Sequence, residues 1–119
     1  MAFKFEKLKV WQRAIELSNQ IDLLTKTFPK EEIYILTSQM KRATDSIALN
    51  IAEGSTGQSN KEFNRFLGYA LRSGIEVVSC LYLAKGRNLI NENEFRKHYD
   101  ELTEIVKMIQ ALRKALLKI

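Results

Sequence analysis

Residues 36–54, L-T-S-Q-M-K-R-A-T-D-S-I-A-L-N-I-A-E-G, hold the pattern on which the fold turns. Leu36, Met40, Ala43, Ile47 and Ile51 recur at steps of four, three, four and four. An α-helix stacks such residues on one face, so the stretch predicts an amphipathic helix. Beside that stripe runs a second row, Gln39, Arg42, Ser46, Asn50 and Glu53, also at steps of three and four. Polar groups so regularly set against an apolar stripe predict either a buried network between packed helices or the lining of a site. A pair between Arg42 and Glu76 of a neighbouring helix, with Gln39, Ser46 and Asn50 meeting the remaining donors and acceptors, would fix helix order and register.

The same rhythm extends to both sides of this stretch. Upstream, Val10, Ala14, Leu17, Ile21, Leu24 and Phe28 alternate steps of four and three, the period of helices packed in bundles. Leu8, Trp11 and Ile15 widen that stripe. Pro29 is expected to end the first helix, because its ring nitrogen has no hydrogen and it pushes Phe28 out of the helical region. Glu31 and Glu32 then sit where the dipole of a second helix favours acids. Gly54 is placed as that helix's C-terminal cap, and residues 54–60, G-S-T-G-Q-S-N, read as a loop.

Downstream, Ser59 and Glu62 form a capping-box pattern, followed by Phe63, Leu67, Ala70, Gly74, Val77, Leu81 and Ala84. The small residues Ala70 and Gly74 predict close backbone approach at their level. Asn91 and Glu94 repeat the cap, and Phe95, His98, Leu102, Ile105, Ile109, Leu112, Leu116 and Ile119 carry the pattern to the last residue. No segment shows sustained alternation of period two. The expectation is all-α: one domain over 1–119, an up-down antiparallel four-helix bundle with helices near 7–28, 32–53, 60–86 and 92–118. Trp11, Phe66, Tyr69, Tyr82 and Tyr99 exceed what one interior can take, which predicts that some are buried between subunits of a homo-oligomer.

Composition narrows the function classes. The chain has 119 residues, 45% hydrophobic and 28% charged, which suits a globular domain and is too apolar for disorder. Cys80 is alone, so no intramolecular disulfide can form and a reducing cytoplasm is the expected setting. The start, M-A-F-K-F-E-K, lacks an apolar targeting core, and no run reads as long enough to cross a bilayer. No membrane association is expected.

Few residues in the chain are spaced for catalysis or metal binding. Di-iron bundles need Glu-x-x-His pairs on two helices, whereas His98 is the one histidine and Glu94 lies four residues before it. Zinc needs more Cys and His ligands than Cys80 and His98 provide. Neither glycine-rich phosphate loop motif occurs. His98 lies in an apolar stripe and reads as a core or interface histidine, and the nearest preceding arginine is Arg96. No catalytic, cofactor or metal residues are assigned, and a non-enzyme is expected.

The net charge of +5 suggests anionic partners. Lys4, Lys7, Lys9 and Arg13 gather at the first helix's start. Lys61, Arg65 and Arg72 share one side of the third helix, with Tyr69 nearby. These seven are the candidate contacts to RNA or DNA phosphates, and each group reads equally as a solvated face. The alternative is a protein-interaction hub whose basic surface serves solubility.

The motif L-x-x-Q-x-x-R-A-x-x-S-I-x-x-N-I-A-E-G on Leu36, Gln39, Arg42, Ala43, Ser46, Ile47, Asn50, Ile51, Ala52, Glu53 and Gly54 resembles a bacterial signature. It is similar to that of the 23S rRNA intervening-sequence proteins, also called the S23 ribosomal protein family. L-K-V-W-Q-x-A-x-x-L over 8–17, F-P-x-E from Phe28, and E-F-x-R-F-L-x-x-A over 62–70 extend the resemblance along nearly the whole chain. One departure is Ser73-Gly74 ahead of Ile75 and Glu76, where the family usually has Gly-Ser before its acid. The resemblance implies a four-helix bundle assembling as a homopentameric ring. It also implies kinship with the accessory variability protein of diversity-generating retroelements, a basic barrel that partners a reverse transcriptase and nucleic acid.

Overall fold

The computed structural model describes residues 2–57 and 59–118. Gln58 of the expected loop and Ile119, the last position of the expected fourth stripe, lie outside them. Four α-helices succeed one another: α1 (Lys9–Thr25), α2 (Ser38–Ser55), α3 (Asn60–Gly86) and α4 (Glu92–Leu117). Short 3₁₀ turns occupy Lys4–Lys7 and Lys30–Glu32, a π-helical turn spans Ile33–Thr37, and no strand occurs among the described residues. The chain measures 46 × 23 × 21 Å, the rod expected of helices lying side by side. α2 packs most extensively on α3, with α3 on α4 and α1 on α2 next.

The apolar stripes make the core. Leu17 and Ile21 of α1, Met40, Ile47 and Ile51 of α2, Leu67 and Leu81 of α3, and Phe95, Leu102, Ile105 and Ile109 of α4 are all fully buried. α3 has the length and, at a mean hydropathy of 1.2 over its most apolar window, the composition to cross a membrane, contrary to the expectation from sequence. Its apolar side faces α2 and α4 instead: Phe63, Leu67, Ala70, Gly74, Val77, Cys80, Leu81 and Ala84 are buried.

The ends of the elements depart from expectation for local reasons. α1 stops at Thr25, three residues before Phe28. The Thr25 hydroxyl donates to the Ile21 carbonyl at 2.9 Å and that of Thr27 to the Leu24 carbonyl at 2.7 Å, so side chains satisfy the last turn. Phe28 remains buried beyond the helix. The second helix does not begin in regular form at residue 32. Glu32 accepts from the Leu36 amide at 3.4 Å and is itself held by Arg87 at 3.0 Å. Between them the backbone takes one wide π turn, which points Leu36 inward and leaves Tyr34 and Ile35 outside.

Gly54 is not a left-handed cap. It lies within α2 and is buried, and a Cβ there would meet Phe66 Cβ at 2.6 Å and Phe63 Cδ1 at 3.0 Å. The left-handed residue of the loop is Gly57, with φ 52°. The close approach expected at Gly74 therefore occurs at Gly54. At Gly74 a Cβ would have Val106 Cγ2 at 3.5 Å and Ile47 Cδ1 at 3.9 Å, ordinary contact distances. Of the two capping boxes, Asn91 and Glu94 close completely, at 2.8 and 2.9 Å. Ser59 accepts from the Glu62 amide at 3.0 Å, but the Glu62 carboxylate turns away to Arg65.

Candidate nucleic-acid interface

The polar row of α2 runs along the edge of its junction with α3, not inside it. Gln39, Arg42 and Glu53 are not buried, nor is Glu76 on α3; Ser46 and Asn50 are half-buried along the same edge. The expected buried Arg42–Glu76 pair is absent: Arg42 has no ion pair or hydrogen bond among the described residues, and Glu76 instead accepts from Gln39 at 3.2 Å. The physical reason is geometric. The row is displaced by about 100° from the core stripe, no further element covers that edge, and long side chains there reach water.

The shorter residues do form a chain. Asn50 Nδ2 donates to the Ser46 carbonyl at 2.8 Å and to its hydroxyl at 2.9 Å. The Ser46 and Ser73 hydroxyls lie 2.9 Å apart, and Ser73 Oγ sits 3.1 Å from the Tyr69 carbonyl. Thus Gln39 through Glu76 and Ser46 through Ser73 tie the row to α3, with Asn50 braced on Ser46; Ser73 was not among the network residues expected from the sequence. Farther along, Tyr34, Ile35, Ser38, Gln39, Arg42 and Glu76 line an open recess of about 450 Å³.

Antiparallel packing brings the start of α1, the end of α2, the start of α3 and the end of α4 to one end of the rod. Lys4 Nζ lies 5.8 Å from the centre of the Phe63 ring, joining the N-terminal turn to α3. Lys4, Lys7, Lys9 and Lys61 are exposed, and none has a carboxylate partner among the described residues. Lys61 lines a recess of about 560 Å³ with Ser59, Glu62, Asn64 and Arg65. α4 contributes Arg113, whose Nε donates to Asn64 at 2.9 Å, and the exposed Lys114. Sequence reasoning missed these two. The signal was the topology itself, which sets the end of a fourth helix beside the start of a third.

Two of the seven candidate cations are already engaged. Arg13 lies across to α4 and grips Glu101 with both arms, Nε to Oε2 at 3.0 Å and Nη2 to Oε1 at 2.6 Å. That hydrogen bonding raises its pKa above the usual guanidinium value, against the cost of burial. Arg65 is paired with Glu62 one turn before it, which likewise raises its pKa. Arg72 has no carboxylate partner among the described residues.

The opposite end is largely neutralised. Lys26 meets Asp22 at 3.3 Å, Lys85 meets Glu92 at 2.6 Å, Arg87 meets Glu32 at 3.0 Å and Arg96 meets Glu92 at 3.8 Å. Lys41, 3.0 Å away, and then Lys26 lower the pKa of Asp22, and Lys85 lowers that of Glu92. Positive charge is therefore uncompensated mainly at the end where α3 begins.

Cys80 and His98 are both buried. Burial, reinforced by nearby Glu76, pushes the Cys80 thiol up, which disfavours the reactive thiolate. Burial also pushes His98 down, and its Nδ1 has no hydrogen-bond partner. Among the described residues no three His, Cys, Asp or Glu side chains are grouped to hold a metal ion.

No curated protein matches the chain. One solved structure with a similar fold is that of a protein of unknown function from the S23 ribosomal protein family of Bacteroides thetaiotaomicron VPI-5482. It superposes with a TM-score of 0.81 at 24% identity, over 88% of this chain and 95% of that one. The family model for the 23S rRNA-intervening sequence protein matches residues 6–111. By the extent of that match, together with the four-helix architecture, the chain belongs to the 23S rRNA-intervening sequence protein family.

Proposed function

We propose that this protein is a non-enzymatic helical scaffold that assembles with copies of itself and binds nucleic acid, RNA foremost, through its basic end. The observation that carries the reading is the unequal pairing of charge along the rod. Among the described residues, Lys4, Lys7, Lys9, Lys61 and Lys114 have no carboxylate partner around one end, whereas carboxylates hold most cations of the other. Phosphates attract such a cluster by releasing condensed counterions, and the attraction needs no base-specific groups. Assembly would multiply it. A pentameric ring of the kind the family resemblance implies would carry a formal charge of +25, since each chain carries +5, and would present the basic end in several copies at once.

Apolar residues left outside supply a reason to assemble. Tyr34 is 92% exposed, and Ile35, Leu49 and Ile75 are also largely exposed. Tyr34 and Ile35, which line the recess shared with Arg42 and Glu76, favour a second reading, in which the α2–α3 side docks a different protein and the basic end serves solubility.

Determination of the mass in solution, followed by titration of labelled RNA at two salt concentrations, tests the proposal. The expected result is an oligomer whose RNA affinity falls steeply with salt. A monomer that binds RNA weakly and without salt dependence would overturn it, and a salt-independent complex with a protein partner would favour the second reading.

A further inference from the structure

We infer that the outer side of the first turns of α3 is a stacking platform for an unpaired base, so that the nucleic acid bound at the basic end is single-stranded. This rests on the reading above and narrows its ligand class. Lys61, Arg65, Tyr69 and Arg72 succeed one another at steps of four, four and three, which places them in one stripe along about 16 Å of helix. An aromatic ring thus stands within a row of cations.

The ring is held in place. Tyr69 and Phe66 meet edge to face, with centroids 5.6 Å apart and planes at 82°. The Arg65 guanidinium carbon lies 5.3 Å from the centre of Phe66 and 5.8 Å from that of Tyr69, and its Nη1 is 3.4 Å from the Tyr69 hydroxyl. Glu62 anchors Arg65 from the preceding turn. Yet Tyr69 is still 38% exposed, so the residue is fixed without being covered.

Cations alone would serve for phosphate contact with either a duplex or a single strand. A duplex hides the faces of its bases in its own stack and has no use for an aromatic between them. An unpaired base has a free face, and stacking it on a preset ring costs little ordering. Lys61 and Arg72, which flank Tyr69 and have no carboxylate partner among the described residues, would hold the flanking phosphates.

Anisotropy titrations of a labelled single-stranded RNA, the DNA of the same sequence and the matching duplex, each at two salt concentrations, test the inference on wild type, Tyr69→Ala and Tyr69→Phe. Tyr69→Ala should weaken single-strand binding roughly tenfold, within the range for one stacked base. Its salt slope should be unchanged, because the phosphate contacts remain, and its duplex binding should stay as in wild type. Tyr69→Phe should retain most of the affinity. In a Trp11→Phe background, Tyr69→Trp should lose fluorescence when the single strand binds.

Equal binding of the single strand by Tyr69→Ala and wild type overturns the platform, while salt-dependent binding by wild type leaves the wider reading standing. Equal loss for single strand and duplex, or a changed solution mass, would make Tyr69 a structural or copy-to-copy contact and overturn it too. Wild type that binds neither nucleic acid overturns both. RNA and DNA bound alike would support recognition through base face and phosphate, and a preference for RNA would support it with the 2′-hydroxyl added.

Discussion

At the scale of single residues, two buried helical glycines, Gly54 in the last turn of α2 and Gly74 in the middle of α3, are expected to respond in opposite ways. At Gly54 an added methyl collides with Phe66 and Phe63. Gly54→Ala should therefore destabilise the fold by about 1–2 kcal/mol, overpacking outweighing the gain in helix propensity. At Gly74 the methyl would find ordinary contacts with Val106 and Ile47. Gly74→Ala should stabilise by roughly 0.5–1 kcal/mol, because only the propensity gain remains. Chemical denaturation of the pair checks both signs. His98 adds a pH dependence. Its folded pKa lies below the ordinary value of 6.5, through burial first and Lys97 second, with Glu94 opposing. The unfolded chain then takes up the proton first, so stability falls as pH drops from about 7 through 6.5 and stops falling below the folded pKa. Unfolding measured at pH 7.5 and at pH 5 should show this loss, and His98→Leu should flatten it. The acids Asp22 and Glu92, with folded pKa values depressed from 3.8 and 4.5, act in a separate, more acidic window.

At the scale of elements, the unexpected features are joints. The Arg13–Glu101 fork ties α1 to α4, whose mutual contact is the least extensive among neighbouring helices. Its two side chains keep about a third of their exposure, 37% and 28%, so solvent screens part of the attraction. Arg13→Ala should cost about 1–2 kcal/mol of stability, near the low end for charge-assisted hydrogen bonds, and leave the salt slope of RNA binding unchanged. Lys7→Ala should do the reverse, leaving stability within about 0.5 kcal/mol while lowering that slope by roughly 0.7–0.9, one phosphate's worth. Thermal melts and salt-dependent titrations of the two variants separate a fastening from a contact. The other joint is the π turn before α2, where Arg87 from the end of α3 clamps Glu32. A π turn holds more residues than an α turn and so rotates the side chains around it. Here Tyr34 and Ile35 are left facing water beside Arg42.

At the scale of the whole molecule, charge is arranged by topology. Lys4, Lys61 and Lys114 are far apart in sequence and share one end of a rod 46 Å long because alternate helices run in opposite directions. Lys26, Lys85, Arg87 and Arg96, each held by a carboxylate, lie toward the other end, where α3 hands over to α4, while at the basic end Arg65 is paired with Glu62. A net charge spread evenly over the sequence is thus uneven in space, which no summed composition reveals.

The amino-acid sequence by itself determined the four helices and which face of each is buried. The apolar residues recur at steps of three and four, and each buried stripe results from that period alone. It also determined the cap at Asn91 and the family. Tertiary structure alone decided where the polar row would lie, because an offset of one residue on a helix separates the interior from its edge. It decided that Gly54, and not Gly74, is the point of closest approach, since that depends on which neighbour's rings arrive there. It decided that Arg13 is a fastening and Lys7 is not, because a cation's role depends on whether a carboxylate of another helix reaches it. Periodicity is a property of one chain segment and is written locally; the partner across an interface is set by the packing of segments that the chain keeps dozens of residues apart.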